Sequence, residues 1–325
     1  MTLSIVESLK PDLDRLYPET DRAAWRFVCT TAAGDNRNDA KVTVFVYNTA
    51  RHPMLVLKTS LTGDDTWVKN QYLTLQFLEH LKLWDILYPR PIALIEHDQH
   101  RFYVESYVDA RPVAYRGKSL QSIMRWAIEW LTTVHCATSA SDASASHNLS
   151  SLLTAWVSII QDASCLTSKE VSAARVIAEA AREVTSAFPT VLMHGDFHPN
   201  QFLHMYRAQT VGIVDWEHAI LKGWPVLDLI ELLSTTAYLA GQYPSSPQAC
   251  QTLFMQPNPH PMIARFLDNY WSRLVLPPDT VKLLLGVYGL YSLAQVIALR
   301  GDILPLPAIT ERSHLLLAAR SLLQL

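Results

Sequence analysis

Up to about residue 108 the chain alternates apolar and polar positions in short runs. From Ser119 the apolar residues recur every three to four positions and largely keep that spacing to the end. In the first part, residues 25–30, 41–47 and 54–58 are rich in β-branched and aromatic residues and read as strands, the last two joined through turn residues 48–53. Residues 92–96 and 102–108 make a further hairpin, turned at His97-Asp98-Gln99-His100. Helical spacing covers a peripheral segment at 4–16 and a longer one at 67–81, which carries Val68, Tyr72, Leu75 and Leu78. In the second part, helices are expected at 119–135, 151–161, 168–188, 225–240, 261–274, 279–299 and 311–323. A Ser- and Ala-rich loop is expected at 139–150, and Ser168 is expected to open the helix at 168–188.

Strands first and helices later, with one short hairpin at 202–215 among the helices, define an α+β chain with a bilobal layout. The expected division is an N-terminal lobe at 1–108, holding the sheet, and a helical lobe at 109–325. A length of 325 residues is enough for two such cores. The formal net charge of -3 gives no footprint for nucleic acid or an anionic membrane. The four cysteines are scattered without metal-binding spacing, and no apolar leader precedes Lys10, so a reducing, cytoplasmic setting is expected. The uncharged run 283–299 approaches the length of a membrane span, but Tyr288, Ser292 and Gln295 share one stripe of it. A buried core helix is therefore expected, and no membrane partner.

Candidate chemistry concentrates in His194-Gly195-Asp196-Phe197-His198-Pro199-Asn200-Gln201, which precedes the hairpin. If the hairpin turns at Ala208, Gln201 lies opposite Asp215, with Cβ atoms about 5 Å apart. An amide oxygen and a carboxylate at that separation can share a hard cation. Asp196, on the loop at the same end, then has the position that in-line phosphoryl transfer requires of a hydroxyl-orienting or proton-accepting carboxylate. Upstream, the small-residue loop 31–39 could lay backbone N–H groups, including that of Gly34, over phosphates, or could be a plain surface hairpin. Lys58 ends an apolar strand, where an inward lysine needs an anion.

His194-x-Asp196 with Gln201 five positions on, followed by Val214-Asp215-Trp216, resembles the catalytic loop and metal-binding segment of the aminoglycoside phosphotransferase and choline kinase family, relatives of the protein kinases. The resemblance spans roughly residues 30–233 and implies a protein kinase-like fold, ATP and Mg2+ as cofactors, and a small-molecule hydroxyl acceptor. It makes Asp196 the catalytic residue, Gln201 and Asp215 the metal ligands, and Lys58 the holder of the α and β phosphates. The backbone of Glu105 and Tyr107 becomes a hinge that hydrogen-bonds adenine, and Asp228 a structural brace for the loop. Two positions depart from the family pattern. Gln201 stands where Asn is usual, and Gln71 stands where a helix Glu usually pairs with the strand lysine.

Two other readings remain open from sequence. His194, Asp196, His198 and Asp215 could ligate Zn2+ or Fe2+ in a metal-dependent hydrolase. Gln71 and Gln201 would also suit a kinase-like nucleotide binder without transfer. From residue 225 onward, six acidic residues are matched by six basic ones, and aromatic residues are frequent. This favours a neutral sugar- or nucleoside-like acceptor over an aminoglycoside-like polycation.

Overall fold

Alternation along β2 (Ala40–Tyr47) and β3 (Leu55–Ser60) sends Val42, Val44, Val46, Leu55 and Leu57 to one face of a sheet. The computed structural model describes residues 9–324 apart from 20–24, 34–39, 48–52, 61–64, 84–86, 98–99, 114–117, 142, 206–209, 257–260, 278–279 and 301–305. With β1 (Arg26–Ala33), β4 (Pro91–His97) and β5 (His100–Ser106), these strands build an antiparallel five-stranded sheet in the order β1-β2-β3-β5-β4. Leu9 and Leu13, at helix α1 (Lys10–Leu16), close the apolar face together with Trp25, Phe102 and Val104. Helix α2 (Thr66–His80) packs on β3, β4 and β5 and buries Val68, Gln71, Leu75 and Leu78. The expected strands and this helix are thus present, with ends displaced by one to three residues.

The register across the sheet decides which polar side chains meet. Lys58 stands opposite Tyr103, and Val56 opposite Glu105. Lys58 and Glu105 are therefore diagonal neighbours on one face, a separation long side chains can bridge.

The hairpin of β8 (Phe202–Met205) and β9 (Thr210–Ile213) pairs Phe202 with Ile213 and Leu203 with Gly212. Its centre lies half a residue before Ala208, so the expected opposition of Gln201 and Asp215 is not made. Both residues fall outside the ladder, Gln201 in the 3-10 turn Pro199–Gln201. Strand β6 (Arg111–Pro112) joins the other edge of β8. Gly212 lets Leu87 approach, since a Cβ there would lie 2.9 Å from Leu87 Cδ2.

The chain divides into two compact units, Met1–Pro112 with Phe202–His218, and Val113–Gln201 with Ala219–Leu325. The hairpin, assigned to the helical lobe from sequence, thus joins the sheet unit. The second unit contains α3 (Lys118–Thr138), α4 (Ala143–Asp162), α5 (Ser168–Glu183), α6 (Leu227–Leu239), α7 (Ser246–Phe254), α8 (Pro261–Leu274), α9 (Val281–Arg300) and α10 (Leu306–Leu322). A two-stranded pair of β7 (Val191–Met193) and β10 (Ile220–Gly223) lies among them. The expected loop at 139–150 is mostly the start of α4, where buried Ala145 and Leu149 continue the apolar stripe of the helix. Thr167, not Ser168, caps α5: its backbone N–H donates to Glu170 Oε2 at 2.6 Å in a capping box. Helix α9 packs against α4, α5, α6 and α10. Its window Val281–Ala298 is long and apolar enough to cross a membrane, yet 72% of it is buried inside the protein, as a core helix requires.

Candidate active site

In the first unit the polar face of the sheet collects around Lys58. Its ammonium lies 3.3 Å from Glu105 Oε1 and 3.5 Å from Asp215 Oδ1. Burial opposes its charge, but Glu105 and then Asp215 and Glu217 outweigh that, so the lysine pKa rises and it is fully charged. Gln71 reaches this cluster indirectly, with Nε2 donating to Glu105 Oε2 at 3.1 Å. The direct Lys58–Gln71 partnership expected from sequence is replaced by a bond to the lysine's carboxylate partner.

The side chain of Glu105 is buried against Lys58, and its backbone lies between Val56 and Pro91 of the neighbouring strands. The Tyr107 N–H donates to the Met54 carbonyl at 3.1 Å. That donor is therefore engaged within the sheet unit and is not free for adenine, contrary to the expectation for it. Gly34 lies outside the described residues.

Asp215 follows β9 with φ 70, a left-handed conformation unusual for a non-glycine residue. Its side chain is 37% exposed, so the carboxylate is accessible. The turn after it, Trp216–His218, is tied back to the sheet and α2. Glu217 accepts from Lys41 Nζ at 2.6 Å, Asn70 Nδ2 donates to the Glu217 carbonyl at 3.0 Å, and Lys41 Nζ sits 5.2 Å above the Trp67 ring. Burial would raise the Glu217 pKa, but His218 and Lys41 outweigh it and hold the group at about 2. Neither Lys41 nor Glu217 was singled out from sequence, because each reads alone as an ordinary surface charge.

In the second unit β7 delivers the loop from His194 to Gln201. Gly195, at φ 81, makes the turn that few other residues would tolerate. The buried Asp228 carboxylate accepts from the N–H groups of His194 at 2.7 Å and Gly195 at 3.0 Å, the bracing position implied by the resemblance. The Gly195 carbonyl accepts from Tyr291 Oη and, at 2.7 Å, from Gln295 Nε2. Of these two donors, Gln295 lies on the polar stripe read from the sequence, whereas Tyr291 was not singled out there.

Asp196, thus positioned by backbone clamps on the preceding residues, receives His198 Nε2 on Oδ1 at 3.2 Å and Gln201 Nε2 on Oδ2 at 2.9 Å. The Asn200 N–H donates to His198 Nδ1, which fixes the ring tautomer with hydrogen on Nε2, toward Asp196. Burial works to raise the Asp196 pKa, but the hydrogen bonds from His198 and then Gln201 outweigh it and hold the carboxyl well below the usual carboxylate range.

Each candidate donor, taken within its own unit, is of a type that suits Mg2+. Asp215 offers an exposed carboxylate. Because the nitrogen of the Gln201 amide donates to Asp196, its oxygen is the atom left to offer a hard cation. A Zn2+ or Fe2+ hydrolase centre has no such support. Among the described residues no three of His, Cys, Asp and Glu converge as a metal site, and His194 and His198 each use Nδ1 as acceptor of a backbone N–H.

A sheet with a charged lysine on its polar face, followed by helices and a braced aspartate loop, defines a phosphotransferase of the protein kinase-like class. The family model described as the phosphotransferase enzyme family, APH, matches residues 35–249, well over half of the chain, and the chain belongs to that family. It is a phosphotransferase acting on hydroxyl groups, with ATP and Mg2+ as cofactors. No curated protein matches the chain.

Solved structures share the fold at low identity. A protein from Ralstonia eutropha JMP134 assigned to the aminoglycoside phosphotransferases superposes with a TM-score of 0.64 at 12% identity, covering 98% of each chain. A thermostable mutant of APH(4)-Ia with ADP and hygromycin B gives 0.56 at 12% identity, over 97% of this chain and 98% of that one. The GDP and kanamycin complex of an APH(2'') enzyme gives 0.53 at 14% identity, over 95% and 97%.

Proposed function

We propose that this protein is a small-molecule kinase that moves the γ-phosphoryl group of ATP to a hydroxyl of a sugar- or nucleoside-like acceptor of low net charge. The observation that carries this reading is Asp196, an ionised carboxylate on a loop whose backbone is held from both sides. Bound ATP and Mg2+ supply the phosphoryl group and neutralise its charge as it transfers. Asp215 and the Gln201 amide oxygen would hold the metal, and Lys58 the phosphates. With its pKa depressed, Asp196 is a weak base but a strong hydrogen-bond acceptor. It would orient the acceptor hydroxyl and take up its proton late, when the new bond from that oxygen to phosphorus has made the proton acidic and the bond to the ADP oxygen is breaking. The sheet unit would carry the nucleotide and the helical unit the acceptor.

The neutral acceptor rests on the charge balance beyond residue 225. Aromatic stacking supports it less than the sequence led one to expect. Trp224, Phe254, Tyr270, Trp271, Tyr288 and Tyr291 are buried, which leaves Tyr238 and Tyr243 more open. Coupled assay of ADP release across neutral sugars, nucleosides and kanamycin-like amines tests the proposal. Release with a neutral acceptor, dependent on Mg2+, is the expected result. A strong preference for the amines would overturn the acceptor class, and no turnover with any hydroxyl compound despite tight ATP binding would favour a nucleotide binder.

A further inference from the structure

The position where the family pattern puts a helix glutamate is filled by Gln71, an uncharged side chain. A lysine on the polar face of a buried sheet nonetheless needs an anion that remains when a second anion, Asp215, is engaged elsewhere. Glu105 meets that need by register. Its place on β5, two residues beyond the partner of Lys58, puts both side chains on one face at diagonal distance, and the atoms close to 3.3 Å. Gln71 then donates to the other carboxylate oxygen, at 3.1 Å, so both oxygens of Glu105 are held. The Gln71 carbonyl oxygen is buried with no partner. An amide in this place therefore has its donating end committed to Glu105, the arrangement expected if its task is to present a carboxylate.

We propose that Glu105 of β5, held by Gln71 of α2, is the positioning residue that fixes Lys58 for the nucleotide phosphates, in exchange for the helix glutamate. The carboxylate that pairs with the lysine thus stands on the strand, and the helix supplies an amide that holds it. The lysine and its anion thereby sit on adjacent strands joined by the sheet ladder, and their pairing does not depend on where the helix stands. A displacement of α2 would cost the Gln71 bond but would leave the ion pair intact. The nucleotide lysine of this protein is therefore preset by its sheet. This inference rests on the assignment of the sheet unit to nucleotide.

The test is an exchange. Glu105→Gln, Gln71→Glu and the double variant are purified as full-length chains beside wild type. KM for ATP, kcat and ATP affinity by titration calorimetry are measured with an acceptor in excess. Glu105→Gln is expected to lower kcat/KM for ATP at least tenfold with KM for the acceptor unchanged. Gln71→Glu alone sets two carboxylates together and is expected to impair as well. The double variant, which moves the carboxylate from the strand to the helix, is expected to recover most of the loss. If Glu105→Gln fails to fold, Glu105→Asp replaces it and is expected to raise KM for ATP severalfold with kcat changed less.

Wild-type parameters in Glu105→Gln or Glu105→Asp would overturn the proposal, as would a folded double variant no better than Glu105→Gln. Wild type that neither binds ATP nor releases ADP would instead sink the nucleotide assignment itself, and with it this inference.

Discussion

At the scale of single residues, Asp196 and Gln201 show how a loop side chain gains a defined role from its neighbours. Asp196→Asn keeps the volume and an oxygen for the Gln201 contact but removes the charge that, in the proposed function, would orient the hydroxyl. A loss in kcat of about 10² or more is expected, with ATP affinity retained, and steady-state kinetics with calorimetry check it. Gln201→Ala removes an amide that contacts Asp196 and offers an oxygen to Mg2+. The expected outcome is a higher Mg2+ concentration for half-maximal rate, whereas Asp215→Ala should abolish turnover, both read from Mg2+ titrations of the rate. An unchanged Mg2+ dependence in Gln201→Ala would confine that residue to holding Asp196.

At the scale of elements, α9 is an apolar core helix with a polar stripe, and the stripe touches the catalytic loop. Tyr291 and Gln295 donate to one carbonyl, that of Gly195, while Asp228 takes the consecutive N–H groups of His194 and Gly195. A typical hydrogen bond contributes about 1 kcal/mol. Tyr291→Phe with Gln295→Leu should therefore cost about 2 kcal/mol and leave the carbonyl buried without a donor. The expected result is a melting temperature lower by about 4 to 8 °C in a domain of this size and a kcat reduced more than KM for ATP. Equal kcat in the double variant, at a temperature where it is folded, would show that the clamp serves stability alone.

At the scale of the whole molecule, burial in the helical unit affects several ionisable groups at once. Burial, the largest cause in each case, pushes the Cys250 thiol up to about 12 and the hydroxyls of Tyr270, Tyr288 and Tyr291 well above their ordinary values. A group whose folded pKa lies above its unfolded one favours folding fully below the unfolded value, and that contribution is lost as pH rises through the folded one. The unfolded values are about 8.5 for Cys and about 10 for Tyr. Melting temperature should therefore hold to about pH 8.5 and fall progressively from there toward pH 12. In the native protein at pH 8 the exposed Cys165 should react with a thiol reagent and the buried Cys250 should not, which mass spectrometry of the labelled protein would read. Flat stability through pH 11 would remove these buried groups from the account.

The strands of the sheet, the helices that follow and the loop from His194 to Asp215 were legible in the sequence because each rests on local signals. These are a period of two or of 3.6, a turn residue, or a fixed spacing within one segment. The start of α4 was missed because Ser and Ala carry little periodicity until their neighbours are known to be buried. The hairpin register was misjudged by one step for a related reason: strand composition does not fix which residues of β8 and β9 stand opposite one another.

What the sequence determined by itself, then, was the order of elements and the places of a strand lysine, Lys58, and a loop aspartate, Asp196, as candidates. Only the tertiary structure decided who their partners are. The lysine meets Glu105 because β5 lies beside β3 in one particular register. The Gly195 carbonyl meets Tyr291 and Gln295, which lie about a hundred positions further along the chain. Contacts between such distant residues depend on how whole elements pack, and no local pattern records that distance.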